Sequence, residues 1–164
     1  MGLDITACSK LTPYTGPVDD DGEPQTEADC FHVYCNPGFV GRADGLETGY
    51  YLAAASTDFR AGSYSGYNIW RDHLARMAGY GSDENAWKQT GGPFWELIHF
   101  SDCEGVIGPQ TSAKLAKDFQ GWQERAEAYA DSIGAEESSW FLEKYTAWRE
   151  AFELASDDGA VLFH

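Results

Sequence analysis

The chain opens on alternation. Leu3, Ile5 and Ala7 are apolar and Asp4 and Thr6 polar, which predicts a strand with the apolar set turned inward. Residues 12–29 read as loop, punctuated by Pro13, Gly16, Pro17 and Pro24 around the acidic run Asp19, Asp20 and Asp21. A second strand is predicted over residues 31–35, closed by the turn Asn36, Pro37, Gly38, and a third over 50–54 behind Gly49.

From residue 66 the apolar period changes from two to about 3.6. Trp70, Leu74, Met77 and Ala78 share one helical face, and Gly79 supplies a stop. Pro93 can begin a short helix through Phe100. The longest helix is expected after Gly108 and Pro109, with Leu115, Phe119, Trp122, Ala126, Tyr129 and Ile133 inward and Gly134 ending the run. A last helix carries Phe141, Tyr145, Trp148, Phe152 and Ala155 on one stripe. Asp157, Asp158 and Gly159 then form a turn before a closing strand over 160–163. Aromatic side chains at helical spacing are core residues first, so Trp122 and Trp148 are assigned to the interior.

These elements predict one α+β domain over residues 1–164, a small, mostly antiparallel sheet covered by three to four helices. The sheet is expected to combine the opening strand with those near 31–35 and 50–54, and to accept the closing segment. A chain of this length buries roughly 70% of its unfolded surface. At 43% hydrophobic and 15% aromatic it has ample material for a core.

Charge narrows the partners. The net charge is −16, and up to residue 60 ten acidic residues face only Lys10, Arg42 and Arg60. Such a field disfavours nucleic acid and anionic membranes, whose binders neutralise phosphates with Lys and Arg. No apolar run is long enough to span a bilayer. The opening residues lack the basic start and apolar stretch of a signal peptide, so a cytoplasmic location is expected. Acidity has two readings, plain solubility and mimicry of nucleic acid toward a basic protein.

The cysteines are Cys8, Cys30, Cys35 and Cys103. Cys30, His32 and Cys35 invite a zinc reading, but strand alternation turns Cys35 away from the other two, and no second pair completes four ligands. Free thiols filling core space are expected, with no metal and no cofactor.

Two segments stand out from plain scaffold. In residues 59–71, Gly62 and Gly66 let a ligand approach the backbone, and Ser65 can cap the helix that follows. The free N–H groups of a helix start favour an anion. Arg60 and Arg71 add cations in an acidic half, Ser63, Ser65 and Asn68 add hydrogen-bonding groups, and Tyr64 and Tyr67 could stack on a ring. The glycine spacing fits neither a Walker A loop nor a dinucleotide fingerprint. The plain alternative is a capped loop whose tyrosines pack against the sheet. The second segment, 99–109, gathers His99, Ser101, Asp102, Cys103 and Glu104 between two helices. It could lend His99, Asp102 and Glu104 to a shared pocket, or simply form a turn. No nucleophile, base and orienter can be named together, so no catalytic residue is assigned. His73 reads as partly core, and His164 is expected to fray.

The opening residues 1–7, the segment 59–71 and the segment 94–109 resemble a group of small phage and prophage proteins of unassigned function. The resemblance implies expression in an infected bacterial cytoplasm, outside the virion. Small proteins of that kind often blunt host defence, sometimes by sequestering nucleotide signals. The expected function is therefore non-enzymatic binding of a nucleotide-like small molecule, acting as a sponge for a host immune signal. Its alternatives are an acidic mimic that inhibits a host defence protein and a small nucleotide hydrolase. Self-association is left open.

Overall fold

The computed structural model describes residues 2–81, 91–101 and 105–164. Among them the strands are β1 (Leu3–Ser9), β2 (Thr12–Pro13), β3 (Cys30–Val33), β4 (Gly49–Leu52), β5 (Ala55–Gly62), β6 (Gly105–Ile107) and β7 (Ala160–Phe163). The α-helices are α1 (Tyr64–Met77), α2 (Trp95–Ile98), α3 (Pro109–Gly121), α4 (Gln123–Ser132) and α5 (Ala135–Ala155), with a 3-10 segment at Pro37–Ala43. The class is α+β. No helix among the described residues is long and apolar enough to cross a membrane.

The strands divide into two sheets rather than the single one expected. An antiparallel sheet runs β5-β1-β7-β6, and a smaller one runs β2-β4-β3. The segment 55–62, to which the sequence pattern assigns no strand, is the reason. It pairs with β1 from Leu3↔Gly62 to Ser9↔Ala55, and the strand at 49–52 joins the smaller sheet instead. Polar Ser56, Asp58 and Arg60 occupy one face of this edge strand, a common protection for an open edge. β3 and β4 pair with each other instead, Phe31 opposite Tyr51 and Val33 opposite Gly49.

Both faces of β1 are used. Leu3, Ile5 and Ala7 point into the helical layer, where they meet Tyr67, Trp70, Phe119, Phe141, Trp148 and Phe152. The α5 stripe behaves as its spacing predicts, with Phe141, Tyr145, Trp148, Phe152 and Ala155 all fully buried. Cys8, on the opposite face, joins Val106, Ala160 and Leu162 against Val33, Ala43 and Tyr51. The small sheet thus covers only part of the second face. Burial pushes the Cys8 thiol up to about 12, with Asp58 and Asp29 adding to the effect, so it is a filler and not a nucleophile. The Cys35 thiol donates to the Leu46 carbonyl at 3.1 Å.

The expected longest helix breaks in two at Trp122, whose φ of −103° and ψ of 5° leave the helical region. Gly121 just before it is a weak helix former, and the break lets the half-buried indole receive Arg125 at 4.3 Å and pack on Phe94. The longest described helix is α5, at 21 residues. The first helix also starts earlier than expected. Its cap is Ser63, not Ser65, with the Ser63 hydroxyl accepting from the Gly66 amide at 3.0 Å.

Candidate functional site

Alternation that sends Leu3, Ile5 and Ala7 into the helical layer must send Asp4 and Thr6 the other way. The antiparallel register sets Arg60 opposite Asp4 and Asp58 opposite Thr6. On the other side of β1, His164 exchanges two backbone bonds with Asp4. The Asp4 amide donates at 2.8 Å and the His164 amide at 3.0 Å, so His164 is held in the ladder rather than frayed. Arg60, Asp4 and His164 therefore form one row of side chains on the sheet face. Asp58 and Thr6 stand in the next.

These rows are bonded across strands. Arg60 Nη1 lies 3.1 and 3.2 Å from the two Asp4 carboxylate oxygens. Thr6, only 3% exposed, donates its hydroxyl to Asp58 Oδ1 at 2.6 Å and meets His164 Nε2 at 2.9 Å. An open surface hollow of about 360 Å³ lies over this patch, walled by Asp4, Thr6, Asp58, Arg60 and His164. A second hollow of about 190 Å³, walled by His32, Tyr34 and Leu162, shares His164 with it. His32 and Tyr34 belong to the end of the small sheet, where the His32 ring packs on Tyr50 at 5.0 Å. The result is a cleft where cover by the small sheet stops.

Of the residues singled out in the sequence, Arg60 is in this cleft. Arg71 is not, because α1 sits on the opposite face of the sheet, so the two arginines cannot grip one phosphate. Arg71 is instead a strut between helices. Its Nη1 donates to the Ile98 carbonyl at 2.8 Å, its Nη2 to Asn68 Oδ1 at 2.5 Å, and its guanidinium lies 5.0 Å from the Tyr67 ring. Asn68 is thereby committed as its acceptor. Tyr67 is fully buried, and its hydroxyl donates to the Phe100 carbonyl at 2.9 Å, so its ring cannot stack on a ligand. Ser63 caps α1 and also meets the Ser65 hydroxyl at 3.1 Å, while Tyr64 stays exposed beside them.

The two segments do meet, as the shared-pocket reading required, through the Tyr67–Phe100 and Arg71–Ile98 bonds. What joins them is structural. His99 Nδ1 pairs with the Trp95 carbonyl at 3.1 Å, and the two rings pack at 5.1 Å. Burial holds the His99 imidazole below its ordinary value, and the nearby Arg42 and Arg71 charges lower it further, against the Trp95 carbonyl. Asp102 and Glu104 lie outside the described residues. Among those described, no three His, Cys, Asp or Glu side chains gather as metal ligands.

Sequence reasoning passed over Asp4, Thr6, Asp58 and His164. The alternation at residues 3–7 already placed Asp4 and Thr6 on one outward face, and that signal could have raised them. The buried role of Tyr67 has a direct check. Tyr67→Phe should lower stability in urea melts by roughly 1–2 kcal/mol, because the Phe100 carbonyl loses its donor. Ligand affinity should not change. Lost affinity at unaltered stability would return the ring to a binding role. Comparison of the chain with protein-family models, curated proteins and solved structures finds no match.

Proposed function

We propose that the protein binds a small nucleotide-like anion in the cleft on the open face of the larger sheet, without turning it over. The observation that carries this reading is Arg60, a cation in an acidic chain, on the wall of an open hollow of about 360 Å³. Arg60 offers Nη2 and Nε beyond the Nη1 that meets Asp4, and a planar guanidinium suits phosphate. Tyr34 and His32 supply ring faces next to it.

Binding is favoured over hydrolysis by the order of the hydrogen-bonded chain. In a hydrolytic triad the nucleophilic hydroxyl gives its proton to histidine, and the carboxylate holds the histidine. Here the hydroxyl lies between the two and gives its proton to the carboxylate, so Thr6 is not activated. The resemblance to small phage and prophage proteins adds a context in which such a binder withholds a host immune signal.

A second reading, acidic mimicry, draws on the ordered excursion after β2. There Asp19 Oδ1 accepts from the Asp21 and Glu23 amides, presenting a rigid acidic tip. The two separate on salt and on Arg60. Mimicry predicts capture of a basic protein that weakens steeply with salt and ignores Arg60.

The test is calorimetric titration with nucleotides, beside mass spectrometry of small molecules released by heat from protein purified out of phage-challenged cells. A binder returns its ligand intact. Arg60→Ala should lose about ten- to hundredfold in affinity, the worth of one charge-assisted contact. Stability should move by less than about 1 kcal/mol, because both partners of the Arg60–Asp4 pair are more than half exposed. Unchanged affinity in Arg60→Ala would remove the cleft from consideration.

A further inference from the structure

A threonine hydroxyl has one proton and two acceptor lone pairs. At 2.6 Å from Asp58 Oδ1 that proton lies in the Thr6–Asp58 bond, because a carboxylate oxygen can only accept. Toward His164 the same hydroxyl can then only accept as well, so Nε2, at 2.9 Å, must be the nitrogen that carries hydrogen. In the neutral ring this leaves Nδ1 with its lone pair, on a side chain that walls both hollows. The second oxygen of Asp58 is a further acceptor in the same cavity. Two acceptors thus stand one sheet row from a guanidinium.

Resting on the nucleotide reading above, we propose that this cleft selects guanine-type bases. Asp58 and His164 accept the adjacent ring and exocyclic N–H donors of the base, and Arg60 takes the phosphate of the same molecule. Thr6 is the positioning residue: it lies in the floor with its hydroxyl committed to Asp58 and His164, and it sets which nitrogen of His164 can read a donor. Adenine presents a ring acceptor where guanine presents a ring donor, so it would set a lone pair against a lone pair. Sites built to pair a polar edge reject the analogue that cannot supply it.

The experiment uses the full chain with histidine labelled at both ring nitrogens, as wild type, Thr6→Val and Thr6→Ser. Nuclear magnetic resonance of the free wild type should show His164 as the Nε2–H tautomer. Thr6→Val, which keeps the branched shape for the strand, should lose that preference, and Thr6→Ser should keep it. Calorimetry should find guanosine 5′-monophosphate bound about tenfold or more tightly than adenosine 5′-monophosphate, and Thr6→Val should erase most of that difference. A wild-type Nδ1–H tautomer, or one indifferent to Thr6→Val, overturns the positioning argument. Equal binding of the two nucleotides overturns base selection while the nucleotide reading stands. Binding of neither, with inorganic phosphate as silent as both, overturns the nucleotide reading and the selection with it.

Discussion

Gly159→Ala is expected to abolish or severely weaken folding. A Cβ at this position would sit 1.8 Å from the Cys8 carbonyl oxygen, 2.7 Å from its carbon and 2.9 Å from Ser9 Cα. All three are backbone atoms of β1, so no side chain can swing aside. On either side the contact is pinned. The Lys10 and Leu11 amides donate to the Asp157 and Asp158 carbonyls at 2.7 and 2.9 Å, and Cys8 pairs with Ala160. Relief requires β1 and β7 to part. Overpacking commonly costs 1–3 kcal/mol where side chains can yield, so a loss on the order of 3 kcal/mol or more is expected here. Set against a typical total of about 5–15 kcal/mol, that is a large fraction. Thermal and urea melts decide it, and a midpoint within about 2 °C of wild type would show that the turn packs differently. Because His164 continues β7, any variant that survives should also disturb the Thr6–His164 contact.

Trp148→Ala should be comparably damaging by the opposite route, a cavity. The indole is fully buried and lies among five rings, those of Phe59, Tyr67, Trp70, Phe152 and Phe163. Its Nε1 finds no acceptor among the described residues, so its contribution is packing rather than hydrogen bonding. Truncating a buried tryptophan costs roughly 3–5 kcal/mol. Trp148→Phe should retain much of this, since it keeps an aromatic body and removes an unpaired N–H. The ordering wild type, Phe, Ala in denaturant midpoint checks the argument. Equal loss in both variants would mean that the indole N–H has a partner of consequence.

The helical half of the fold was legible because its signal is periodic and long. Phe141, Tyr145, Trp148 and Phe152 repeat at threes and fours, and tertiary packing follows that stripe. β5 was hidden for a physical reason. Phe59 is its one large apolar residue, and an edge strand with a polar outer face reads like a loop. β6 was hidden by its length, three residues inside a polar connection. The helix break at Trp122 was overlooked because the apolar repeat runs through it undisturbed.

The candidate site was legible only at Arg60, which stood out as a cation in an acidic half. Its neighbours could not be collected by reading along the chain. Thr6 lies 52 positions from Asp58 and 158 from His164, and register alone unites them. The neighbouring signals at Tyr67 and Arg71 were real but belonged to the core and to a strut between helices. Polar residues beside a helix start are ambiguous until the face they occupy is known.

The central placement of β1 has a consequence for recognition. It carries the innermost core on Leu3, Ile5 and Ala7 and the floor of the cleft on Asp4 and Thr6, while Cys8 lies beneath the small sheet. The strand beneath Asp4 and Thr6 is paired on both sides, by β5 and β7, so its bonded amides should exchange with solvent only when the whole molecule opens. A guest arriving at this floor meets a backbone already ordered by folding. It need immobilise only the outer reach of Arg60 and its own rotors, and that low ordering cost leaves more of each contact as affinity.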